Sequence, residues 1–263
     1  MEYLGYLSAI LIGVSLGLIG SGGSILTVPV LVYLMIIDPV YATAYSLFIV
    51  GLTSLVGALF YFKKGLVNIR SAIIFSIPAF IAVFLTRFYL LPAIPNELFS
   101  IGDFVVSKRI FIMLLFAFLM FGAAISMIRK NKEDDLINDQ IFNYPLIFVE
   151  GFIVGILTGL VGAGGGFLII PALVILAKIP MKTAVGTSLV IIAVKSLIGF
   201  LGDLSLNMNI DWTILLGFSV FTIVGIFIGS HLSKFVSSKK LKPAFGWFVL
   251  IMSLYIIIKE IHI

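Results

Sequence analysis

The 263-residue chain has no cysteine and only two histidines, His231 and His262, and just 11% of its residues are charged. Without cysteine there is no disulfide, no thiolate metal site and no cysteine nucleophile. Two histidines, both read as interfacial, do not make a histidine metal cluster, so no metal and no cofactor is expected. The phosphate-binding pattern Gly-x-x-x-x-Gly-Lys-Ser/Thr is absent, which excludes that route to ATP as a power source. Acidic residues number 12 against 17 basic, a net charge of +5. In a soluble protein that excess would point to nucleic acid, but here the basic residues sit in short loops between apolar stretches, where they set orientation in a bilayer. The opening Met1-Glu2-Tyr3 has no basic leader region and is read as the start of the first membrane segment.

What the chain has is apolar surface: 61% hydrophobic residues and a mean hydropathy of +1.25, far more than a soluble core of this size needs. Apolar segments lie near residues 4–19, 23–37, 42–62, 71–91, 110–128, 145–161, 165–179, 184–204, 213–233 and 243–261. The longer ones reach the roughly 20 residues that a ~30 Å hydrocarbon layer requires, and those flanking the glycine runs are short. The pattern predicts an all-α polytopic membrane protein of about 8–10 helical segments, embedded in lipid.

One phrase occurs twice, GLIGSGGSILTVPVLVYL at residues 17–34 and GLVGAGGGFLIIPALVIL at residues 159–176. Shifting by 142 positions aligns residues 13–64 with 155–206 without a gap, with about 20 of roughly 52 positions identical, glycines and prolines included. This is an internal duplication. Residues 1–130 are read as the first transmembrane repeat, 131–143 as a polar linker and 144–263 as the second repeat, the two repeats forming one membrane domain. Each repeat is a glycine-broken helical hairpin followed by about three transmembrane helices, so each has an odd number of crossings and the second is inverted. A cytoplasmic linker then puts 12 of the 17 basic residues inside, with Arg87, Lys108, Arg109 and Lys259 outside and Lys195 within the membrane.

A glycine run inside apolar helix breaks the backbone where lipid cannot satisfy N–H and C=O groups, so such breaks line cavities. Paired breaks in related halves point to a transporter site near the midplane. Consecutive amides there form an anion-binding concavity, and the helix that follows, from about Ser24 or Gly166, aims its positive dipole end at the same place. The candidate residues are Gly20, Ser21, Gly22, Gly23 and Ser24 in the first copy and Gly162, Gly164, Gly165 and Gly166 in the second. Close helix packing is the alternative use of such glycines. Ser46 and Ser188 occupy equivalent positions, and Thr187 beside Ser188 carries a further hydroxyl donor; all three compete with back-bonding to the preceding helical turn. Lys195 sits about 20 Å and 13 Å from its helix ends at 1.5 Å per residue, too deep to snorkel. A charge there costs about 2.5–3.5 kcal/mol, so it faces a polar cavity, a substrate or an ion pair with Asp203 or Glu150. Thr53 is its counterpart in the first half.

The duplicated Gly-x-x-Gly-Ser/Ala-Gly-Gly followed by proline (Gly17, Gly20, Gly22, Gly23, Pro29; Gly159, Gly162, Gly164, Gly165, Pro171), together with Gly166 and Gly186-Thr187-Ser188, resembles the TauE/SafE family of sulfite and organosulfonate exporters. The resemblance covers nearly the whole chain. It implies a secondary exporter of small sulfur-containing anions in a prokaryotic cytoplasmic membrane, not an enzyme, driven by a proton, another ion or the anion's own gradient. Homo-oligomerisation stays open. The chain departs from the motif at Ser24 and at Ala44-Tyr45-Ser46, and Lys195 lies outside it. The competing readings are an anion channel with a glycine-loop filter and a membrane enzyme or assembly factor of sulfur metabolism.

Overall fold

The apolar stretches fold as helices whose ends are fixed by local chemistry. The computed structural model describes residues 2–101, 104–129, 144–175, 179–206, 208–232 and 238–261; the linker 131–143 lies outside the described residues. Helix α1 (Glu2–Ile19) ends at Gly20, a 3-10 turn follows (Ser21–Leu26), and α2 covers Thr27–Tyr33. Asp38 caps α3 (Pro39–Lys63), accepting from Val40 N at 2.9 Å, with Pro39 where no amide bond is needed. Asn68 caps α4 (Ile69–Leu85), accepting from Ser71 N at 3.0 Å. A π-helical turn (Thr86–Leu90) carries α4 into α5 (Leu91–Ala93) as one apolar span, and α6 (Lys108–Ile128) closes the first half. The second half contains α7 (Tyr144–Val161), α8 (Gly166–Ile175), α9 (Met181–Leu204), α10 (Trp212–Leu232) and α11 (Ser238–Ile261).

Six of these helices are long and apolar enough to cross a membrane. The protein is an all-α polytopic membrane protein. Its outer faces agree: Ile69, Ile73, Ile77, Ile81 and Leu85 recur every fourth residue on α4 and are all exposed. Leu216, Val220, Val224 and Phe227 are likewise exposed on α10. Apolar stripes of that length are liabilities in water and ordinary against lipid. The most buried spans are α9, 72% inside the fold, and α3, 56%, against 28% for α11, so α3 and α9 form the centre.

The stretch between Arg87 and Arg109 departs from the loop expected of it. The membrane span continues to Ala93, and an antiparallel hairpin of β1 (Glu97–Ile101) and β2 (Phe104–Ser107) fills the rest. Paired strands satisfy the backbone amides that an open loop would leave to solvent. Arg87, expected in an outer loop from the number of crossings and against the positive-inside tendency, is fully buried inside the bundle.

Both glycine breaks turn the chain back on itself. A side-chain carbon on Gly23 would lie 2.5 Å from Leu16 N, and one on Gly5 would strike Met35, so α2 returns along α1. Gly13, Gly17, Gly225 and Gly229 bring α1 and α10 backbone to backbone, and Gly151 and Gly155 seat α7 on α4, with Gly159 against Thr86 of the π turn. Contacts between the halves thus exchange: α1 with α10, α7 with α4, α6 with α11, and α3 with its own counterpart α9. The α3–α9 pair is antiparallel, since Gly51 meets Leu197, Gly57 meets Leu189, and Gly199 meets Leu47.

Candidate functional site

The second glycine break is an open backbone loop of residues 162–165 between α7 and α8. Gly162, Gly164 and Gly165 adopt φ of 69°, 27° and 69°, a region in which a Cβ is strained. Gly162 N closes the last turn of α7 on Thr158 O at 2.9 Å, and helical bonding resumes only where Leu168 N and Ile169 N donate to Gly165 O at 3.0 and 3.1 Å. The five amides of residues 163–167 therefore have no acceptor among the described residues. They are bare donors at the N-terminus of a ten-residue helix, where the dipole adds to their pull on an anion.

Lys195 reaches this loop from α9. It is 1% exposed, and its Nζ donates to Thr158 Oγ1 at 2.7 Å. A Cβ on Gly165 would sit 2.9 Å from that Nζ and collide with the Thr158 methyl. No carboxylate pairs with Lys195 among the described residues. Asp203 is engaged by Arg87 at 3.4 Å. Glu150 sits on α7 beside an apolar cavity of about 570 Å³ between α6, α7 and α8, with Oε2 unpartnered. Among the described residues Lys195 Nζ has one hydrogen-bond partner and the adjoining amides have none, an arrangement of donors whose chemistry suits an anion.

The first break differs. Gly20 has φ 76°, but Gly23 is wound into the 3-10 turn, its N–H donating to Gly20 O at 3.4 Å, and Thr27 N donates to Ser24 O. With Gly23 wound into the turn, this copy brings the side chain of Ser24, which is fully buried, to the second break. A Cβ on Gly164 would lie 3.1 Å from Ser24 Oγ, so the two breaks meet. Ser21 and Gly22 belong to the 3-10 turn, and the Ser21 side chain lies outside the described residues. Thr53, the counterpart of Lys195, bonds to Ile49 O at 2.7 Å and to Thr222 Oγ1 at 2.8 Å.

The hydroxyl residues divide. Thr187 Oγ1 donates to Thr183 O at 2.7 Å and accepts from Asn68 N at 2.9 Å, tying α9 to the entry of α4. Gly186 permits this approach, since its hydrogen faces Leu66 O. Ser188 Oγ donates to Val185 O at 2.8 Å. Ser46 is fully buried with its hydroxyl unpartnered, and so are Ser54 and Ser196. Gly166 opens α8 and is buried. Four further candidates lie outside the repeated motif: Thr158, the pair Ser54 and Ser196, and Arg87. Ser54 and Ser196 are identical at the repeat shift, a signal that was available; Thr158 and Arg87 have no such mark because only tertiary contact gives them meaning.

The sequence matches the family model described as "Sulfite exporter TauE/SafE" over residues 6–256. A probable membrane transporter protein of Xylella fastidiosa (strain 9a5c) is 30% identical over 256 residues, covering 94% of this chain and 91% of that protein. The probable membrane transporter protein YunE of Bacillus subtilis (strain 168) is 29% identical over 238 residues, covering 84% and 83%. No solved structure matches the chain. With the family model spanning nearly the whole sequence, the chain belongs to the TauE/SafE family of membrane transporters.

Proposed function

We propose that the protein is a secondary exporter of small oxyanions, sulfite or organosulfonates foremost, working by alternating access in a prokaryotic cytoplasmic membrane. The observation that carries this reading is the meeting of a buried Lys195 with the five amides of residues 163–167, neither carboxylate nor amide acceptor standing there among the described residues. The amides and the ammonium supply fixed donors for an oxyanion, and Ser24, brought against Gly164 by the first break, borders the same space. Ser196, beside Lys195 on α9, keeps an unpaired buried hydroxyl in reserve. Dehydrating a small anion is costly in apolar surroundings, and preformed donors replace its lost water.

Two inverted repeats give the mechanism its form. In its support, equivalent helices α3 and α9 run antiparallel, as a two-fold axis in the membrane plane requires, and each break folds back as a hairpin, giving an odd number of segments per half. Rocking one repeat against the other then exposes the midplane to either side in turn. Lys195→Ala, reconstituted in vesicles and monodisperse, should lose most sulfite exchange, at least about tenfold, because buried charge-assisted hydrogen bonds contribute about 1.5–3 kcal/mol. Unchanged flux and half-saturation in that variant would reject the site. Conductance that rises in proportion to driving force, without saturation, would reject a carrier in favour of a channel.

A further inference from the structure

A second buried charge cluster joins α3, the π-helical turn and α9, and the midplane site does not use it. Arg87 on the π turn is fully buried. Its Nη1 donates to Thr43 Oγ1 at 3.0 Å and lies 3.4 Å from both Asp203 Oδ1 and Asp203 Oδ2. Its Nε and Nη2 have no hydrogen-bond partner among the described residues. Guanidinium and carboxylate held for structure normally meet fork to fork at about 2.7–2.9 Å. Here one nitrogen serves both carboxylate oxygens at long range, and the two-donor edge of the guanidinium is left empty. The π turn is where a helix re-aims a side chain, and such bulges gather at functional positions.

Position adds to this. Asp203 lies eight residues beyond Lys195, about 12 Å along α9. The backbone of Thr43 packs directly on Gly162, the first residue of the open break. The cluster is therefore the next station from Lys195 toward the end of the bundle where α3 starts and α9 stops. The other half has nothing like it: at the repeat-equivalent positions Val185 stands for Thr43 and Tyr61 for Asp203. A charge placed on one side only is a directional feature.

We propose that Arg87 is a second oxyanion station, binding two oxygens of a sulfite, sulfonate or carboxylate group on its Nε–Nη2 edge when that end opens, with Asp203 as the internal counter-ion that holds the guanidinium while the station is empty. This rests on the anion-transport reading above. An unpaired arginine in the membrane interior is costly, so a resident carboxylate is needed between passages. Its long, single-nitrogen contact leaves the guanidinium open to competition from a better-fitting oxyanion.

The test measures sulfite exchange by the full chain in inside-out and right-side-out vesicles, with half-saturation determined separately at each face. Asp203→Asn, which removes the competitor, should lower the half-saturating sulfite concentration about tenfold at the face where α9 ends, and Arg87→Lys, which keeps charge but loses the fork, should raise it about tenfold there. The opposite face should stay within about twofold. Equal shifts at both faces, or no shift with exchange intact, would overturn the station. Arg87→Lys keeps the ion pair and carries the test if Asp203→Asn does not assemble. The swapped pair Arg87→Asp with Asp203→Arg decides between site and strut: wild-type half-saturation at both faces overturns the proposal, and a raised value at the α9 end supports it. Absence of saturable sulfite exchange in the wild-type protein would overturn the transport reading, and the station with it.

Discussion

At Gly165 one hydrogen separates a working loop from a collision. The residue has φ 69°, and a Cβ there would strike the Thr158 methyl and stand 2.9 Å from Lys195 Nζ. Gly65 offers the control, with φ 67° and nothing within 4 Å. Alanine at either position meets the left-handed strain of about 1–2 kcal/mol, and at Gly165 the collision with the Thr158 methyl adds to it, so Gly165→Ala should lose more than Gly65→Ala in thermal unfolding. Only Gly165→Ala should also lose sulfite exchange, by about tenfold or more, because only there does the methyl displace the ammonium. Equal loss of flux in both would mean that backbone strain alone, and not the Lys195 contact, limits transport. That these glycines break the helices was legible in the sequence because the phrase repeats inside apolar stretches, and their positive φ is that break. The pairing of Lys195 with Thr158, and of Arg87 with Asp203 across 116 positions, was not: charge shows in a sequence, but its partner is set by packing.

Among elements, the helices themselves were readable from apolar length, while their irregularities were not. The first break resembles the second in letters, yet Ser24 in place of Gly166 goes with a 3-10 turn, in which Gly23 N donates to Gly20 O, where the second copy is an open loop. The π turn at Thr86–Leu90 and the β-hairpin after it carry no periodicity that a hydropathy pattern registers. Glycines inside the helices do separate by role once neighbours are known. Gly225 on α10 faces Ile10 O and Gly13 Cα on α1, the latter 2.8 Å from where a Cβ would be, whereas Gly122 on α6 has open space. Gly225→Val should therefore wedge α1 from α10 and destabilise the fold by about 1–3 kcal/mol or more. Gly122→Ala should be neutral or stabilising by up to about 1 kcal/mol through helix propensity. Thermal unfolding in one detergent checks both, and a Gly225→Val protein as stable as the wild type would show that the α1–α10 contact is not needed for cohesion.

For the whole molecule, orientation follows from a contact and not only from charge. If the halves were parallel copies, α3 and α9, equivalent under the 142-residue shift, would be related by an axis along the membrane normal and would run the same way. They run oppositely, Gly51 against Leu197 and Gly57 against Leu189, so the ends of these two spans lie at opposite faces. Lys64 follows α3 and Ser205 follows α9, and both are exposed. Because the chain has no native cysteine, Lys64→Cys and Ser205→Cys can each be labelled without background by a membrane-impermeant maleimide on intact cells and on inverted vesicles. The expected result is opposite accessibility, with position 64 reached only from the cytoplasmic side, where Lys63, Lys64 and Arg70 cluster in accord with the positive-inside tendency. Labelling of both from one face would contradict the antiparallel centre and with it the inverted repeat. With Arg87 buried in the bundle, the basic residues that the charge count assigns to the outer side are Lys108 and Arg109 at the start of α6 and Lys259 in the last turn of α11. If position 64 labels from the cytoplasmic side, the end where α9 stops is the outer face, and the face-specific half-saturation shift proposed for Arg87→Lys is then expected at that outer face.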